Sequence, residues 1–138
     1  MRRSLGLTLL VAFFIFGSVM AALAFLGLLF ANGPLEPMWR LNRQAQVGLL
    51  ELGGWGLLLM LVVTIVCALT AVGLARRARW GHRLAVSAVA LNLLADVFNA
   101  VVLGDLRTLI GIPIGGAVLW YLLSAGTRAQ FEAPAAGR

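Results

Sequence analysis

Four long apolar segments separated by short polar interruptions dominate the chain, at about 5–31, 47–75, 84–104 and 108–125. A helix needs roughly 20 apolar residues to cross a hydrocarbon core of about 30 Å. The first two segments exceed that length and are expected to tilt or to run past the interface. The fourth is short, but Trp120 and Tyr121 near its end are residue types that suit a membrane interface. The pattern therefore predicts an all-α membrane protein, an antiparallel bundle of four transmembrane helices in a single domain over 1–130. The remainder, 131–138, contains Ala133-Pro134-Ala135-Ala136-Gly137 and is expected to be disordered.

The first segment also invites comparison with a secretory signal peptide. Arg2 and Arg3 give a basic start and Ala22-Leu23-Ala24 resembles a cleavage site. Its apolar run is about twice the usual 7–15 residues of such a core, so it is read as a signal-anchor helix.

The interruptions set the expected topology. Arg2, Arg3, Arg76, Arg77, Arg79, Arg83, Arg128 and Arg138 fall on one side of the four spans. Arg40, Arg43 and Arg107 fall on the other, partly offset by Glu36 and Asp105. The positive-inside rule places the arginine-rich side, with both termini, in the cytoplasm. Asn32-Gly33-Pro34 ends the first helix, and Pro37 is expected to open a short interfacial helix containing Trp39, Arg40, Leu41 and Arg43. The turns at Ala78–His82 and at Asp105-Leu106 are tight enough to make their flanking helices antiparallel neighbours.

Composition narrows function mainly by exclusion. Of the 138 residues, 62% are hydrophobic and 12% charged, about half the charged share of a soluble domain. All eleven basic residues are arginine, and the formal net charge is +6. These charges border apolar runs instead of forming a solvated basic face, which argues for topology and against nucleic acid. Cys67 stands alone within an apolar segment and His82 is the one histidine, so no disulfide, metal site or cofactor is expected. No Ser/His/Asp order, aspartate-rich diphosphate motif or histidine pair points to an enzyme, and no catalytic residue is assigned.

The strongest polar feature is Asn92, Asp96 and Asn99 in the third segment, whose spacing places them within about 60° of arc on one helical stripe. Asp96 is expected about 12 Å below the outer surface. A charge at that depth is costly, and intramembrane carboxyls often mark ion or proton paths. Polar glue between helices is the commoner use of such residues and is weighted first. Glu51, about one turn into the second segment, is a further candidate that converges with Asn99 and Asp96 on an outward-facing vestibule, or else stays hydrated at the interface.

Glycine marks expected close packing. Gly53-Gly54-x-Gly56 lies in the second segment, while Gly111 and Gly115 form a GxxxG pair around Pro113 in the fourth. Pro113 is expected to kink that helix and open a cavity beside it. Arg76, Arg77, Arg79 and Arg83 are placed to meet anionic lipid headgroups, each contributing about 1 kcal/mol near such a surface.

The stretches Gly73–Arg77, Arg79-Trp80-Gly81-His82-Arg83-Leu84-Ala85, Leu91–Asp96 with Asn99, Thr108–Pro113 and Thr127-Arg128-Ala129-Gln130-Phe131 follow one another in a familiar order. This order resembles a loose group of small uncharacterised bacterial four-helix membrane proteins sharing a basic R-x-R-W-G turn and a C-terminal R-x-x-F. The resemblance covers roughly the last 65 residues and implies a bacterial inner-membrane location, with no catalytic or binding residue attached. The functional expectation is a non-enzymatic protein acting by helix association in the lipid bilayer, as a homo-oligomer or a small subunit of a larger complex. The alternative is a small oligomeric transporter or proton-linked channel using Asp96.

Overall fold

The computed structural model describes residues 4–30, 32–102, 104 and 106–132. The basic start at Arg2-Arg3, the turn residue Asp105 and the tail at 133–138 lie outside the described residues. Those described form an all-helical chain without strands, in the order α1 (Leu5–Leu29), α2 (Glu36–Leu41), α3 (Arg43–Glu51), α4 (Gly54–Ala75), α5 (Arg79–Val102), α6 (Thr108–Leu123) and α7 (Ala125–Glu132). By length and apolarity α1, α4 and α5 can each cross a membrane, and α6 with α7 makes a fourth if that bent pair is one span.

Three boundaries differ from the expectation, each for a local reason. The segment at 47–75 is two helices, because Gly53 adopts a left-handed φ of 57° between α3 and α4. Glycine takes that conformation at little cost, whereas a run of apolar residues on both sides hides the break from hydropathy. The third long helix starts at Arg79, so Arg79, His82 and Arg83 occupy its first turns while Arg76 and Arg77 stay in the turn before it. The fourth ends at Leu123 and is followed by a 53° bend into α7, which carries Phe131 and Glu132 as helix.

The bend is built by Ser124. Its extended ψ of 144° stops α6. Its hydroxyl donates to the Tyr121 carbonyl at 2.8 Å and lies 3.0 Å from the Thr127 hydroxyl. Arg128 N–H donates to the Ser124 carbonyl at 3.0 Å, which makes Ser124 the N-cap of α7.

The residues group into two compact units. One comprises the chain up to Val11 and from Thr70 onward. Its core is Leu7, Leu10, Ala71, Leu74, Ala85, Val89, Leu122 and Phe131, with Thr70 and Thr127 buried among them. The hairpin of α4 and α5 closes there without space for a side chain: a Cβ on Gly73 would lie 2.5 Å from the Gly81 Cα. The turn is a Schellman closure, with Ala78 N–H donating to the Gly73 carbonyl and Arg77 N–H to the Leu74 carbonyl. Arg77 takes the left-handed position (φ 53°) usually given to glycine, a conformation costing about 1–2 kcal/mol.

Helix α7 docks on this same region. Thr127 and Phe131, four residues apart, face inward. His82 Nε2–H donates to the Leu122 carbonyl at 2.7 Å, and its ring stands 4.9 Å from that of Phe131. Arg79 donates from Nε to the Phe131 carbonyl at 3.3 Å and from Nη2 to the Glu132 carbonyl at 3.0 Å. A cation on the last carbonyls of a helix satisfies acceptors that have no intrahelical partner. At the start of α1, Ser4 Oγ donates to Gln130 Oε1 at 3.2 Å, and Gly6 gives room to the Tyr121 hydroxyl.

The other unit spans Ala12–Leu69. Ser18 Oγ of α1 donates to the Thr64 carbonyl of α4 at 3.0 Å, and Gly17 sits opposite Cys67. Asn32 (φ 67°) turns the chain after α1. Helix α2, with Pro37 in its first turn, then buries Trp39 against Gly27. Asn42 caps α3 by accepting from the Ala45 N–H at 3.2 Å.

Candidate functional site

Helix α5 carries Ala85, Val89, Asn92, Asp96 and Asn99 at spacings of four, three, four and three residues. That rhythm keeps all five on one face, the a/d seam of a left-handed helix pair. Ala85 and Val89 are buried, with 0% and 6% of their surface exposed. Asn92 is exposed, and Asp96 and Asn99 are half-buried. The face thus changes from apolar to polar partway along the helix, with Asn92 exposed and Asp96 still packed against α6. At 1.5 Å per residue Asn92 stands about 20 Å from the start of α5 and about 15 Å from its end. It is a mid-helix residue.

The geometry inside the trio is specific. Asn92 Nδ2 donates to Asp96 Oδ2 at 3.2 Å. Asp96 also lies against α6, where a Cβ on Gly111 would come within 2.5 Å of Oδ2. Gly111 is therefore the residue whose missing side chain admits the carboxyl. Gly115, one turn on, meets Leu93 of α5, with its Cβ position 3.3 Å from Cδ1. The expected GxxxG pair and the expected polar stripe are thus two sides of one α5–α6 seam. Pro113 is exposed within an α6 that continues through it. An open groove of about 620 Å³ lies along the apolar side of α5 at Leu94, Val97, Phe98, Val101 and Val102, with Asn99 at its edge, and not beside Pro113.

Glu51 is the last residue of α3, exposed, and precedes the Gly53 break, so it is not within the long helix α4 where the sequence placed it. Of the four arginines expected at headgroups, Arg76 and Arg83 are exposed and Arg77 is half-buried in the turn. Arg79 is held by the carbonyls of α7.

Sequence reading missed the residues that hold the α4–α5–α7 junction: Gly73, Gly81, Ser124, Thr127 and Phe131. Ser124 and Thr127 do have a local signal, a hydroxyl N-cap three residues before a second hydroxyl. Gly73 and Gly81 face each other across a turn and form no local motif. Among the described residues no three His, Cys, Asp or Glu side chains group as metal ligands. The arrangement places hydrogen-bonding groups midway along α5, at the edge of its contact with α6. No family model matches the chain, and no curated protein or solved structure matches it.

Proposed function

We propose that the chain is a multi-pass protein of the bacterial inner membrane that does no covalent chemistry and works by helix association, as an oligomer or as a small subunit of a larger membrane complex. Its four spans would be α1, α4, α5 and the α6–α7 pair, an antiparallel bundle with both termini cytoplasmic, as the arginine distribution favours. Exposed Arg76 and Arg83 would then lie at the anionic headgroups of the inner leaflet.

One observation carries this reading: Asn92 is exposed in the middle of α5. Exposed leucines and valines need only lipid, but an amide in hydrocarbon needs hydrogen-bond partners that lipid tails cannot supply. Glycines at the α5–α6 seam bring α6 close against Asp96 and Leu93 of α5.

The second reading, a proton-linked channel or transporter using Asp96, draws on the same mid-span carboxyl. The two separate on Asp96→Asn. That substitution keeps shape and hydrogen bonding while removing the titrating group. Association predicts an unchanged oligomer peak in mild detergent, and proton flux into proteoliposomes no greater than into protein-free vesicles for either form. Flux above that background that Asp96→Asn abolishes, with the oligomer intact, contradicts it.

A further inference from the structure

We infer that α2 is a flap with two positions, one docked with Trp39 seated on Gly27 of α1 and one released with the indole carried to the membrane interface. The inference stands independently of the association reading. Trp39 is 6% exposed and is the buried residue of α2. Its indole fills the space that Gly27 leaves, since a Cβ there would lie 2.5 Å from Nε1. Yet among the described residues Trp39 Nε1 is a buried side-chain nitrogen with no hydrogen-bond partner. A buried indole N–H usually finds one. Leaving it unmade charges the docked position with the full desolvation of that donor. The fit of the ring holds the flap down, and its N–H opposes the fit.

Little else in the segment resists release. Helix α2 is six residues long, and its start has no side-chain cap. Its backbone bonds are local, from Glu36 N–H to the Gly33 carbonyl, Met38 N–H to Leu35 and Asn42 N–H to Trp39. Among the described residues no hydrogen bond or ion pair joins α2 to α1. A hollow of about 200 Å³ lined by Leu26, Phe30, Pro34 and Leu35 lies where the chain leaves α1. Both ends of the flap turn at asparagines, Asn32 with a left-handed φ of 67° and Asn42 with φ −143° and ψ 68°, outside helix and strand. On the four-span reading this end of α1 reaches the interface, where tryptophan is enriched and its N–H meets water or lipid carbonyls. A helix as short as α2 unwinds once it leaves its support.

Amide hydrogen exchange over 36–42, read by mass spectrometry on the full chain in detergent micelles, follows release, because the unwound flap loses its backbone bonds. Replacing Trp39 with benzothienylalanine keeps the two-ring shape and puts sulfur where the N–H stands. Exchange over 36–42 is expected to slow about tenfold, the scale of one unmade buried hydrogen bond. Gly27→Ala moves the ring off α1 and is expected to speed exchange there by at least about tenfold, with α4 and α5 as protected as before. Equal or faster exchange in the benzothienylalanine variant means that the indole N–H does not oppose docking, and overturns the flap. Unchanged exchange in Gly27→Ala overturns it as well, since the seat would then not be Gly27.

Discussion

Gly81→Ala is expected to destabilise the protein by at least about 3 kcal/mol, and Gly81→Leu to keep α4 and α5 from closing at all. A Cβ on Gly81 would meet the Cα and carbonyl carbon of Gly73 across the hairpin, and both are backbone. Overpacking against side chains costs about 1–3 kcal/mol because side chains can yield. Here the two helices themselves must part, and the core beside them (Leu74, Ala85, Leu122) opens with them. Unfolding in SDS–detergent mixtures, followed by circular dichroism, measures the loss. Gly116→Ala is the matched control, since a methyl there meets nothing within 4 Å and glycine-to-alanine in a helix is favourable by about 1 kcal/mol. Equal behaviour of the two alanine variants would contradict the close approach.

Phe131→Ala is expected to cost about 3 kcal/mol and to free α7. The ring is 4% exposed and stands against His82, and truncating a buried phenylalanine leaves a cavity on top of the lost transfer energy. Once α7 leaves, Arg79 loses both carbonyl acceptors. The expected result is faster proteolysis near Ser124 in inside-out vesicles, with α5 and α6 retained. Protection equal to that of the unaltered chain would mean that α7 is held by something other than this ring.

These two sites show what hydropathy can and cannot reveal. The long helices were legible because roughly 20 apolar residues in a row have few uses other than a membrane span. The Asn92–Asp96–Asn99 stripe was legible because its spacing is a local property of one helix. Gly111 and Gly115 were equally local, although only the fold shows that Asp96 fills the space Gly111 leaves. The Gly53 break escaped because apolar residues continue on both sides of a change in φ. Helix α7 escaped because its Ala125–Glu132 sequence is too short and polar to form a helix alone; the contacts of Thr127 and Phe131 make it one. Gly73 and Gly81 depend on a partner across a turn, which no window along the chain contains. Glu51 was misplaced for the same reason as Gly53: the break after it decides which helix it belongs to.

The central claim is that this chain acts through association, and the mass of what leaves the native membrane in mild detergent tests it most directly. The account predicts a defined species heavier than one 14.7 kDa chain, either a whole multiple of it or a stoichiometric complex with another membrane protein. A single chain eluting alone, with only lipid and detergent bound, would contradict it.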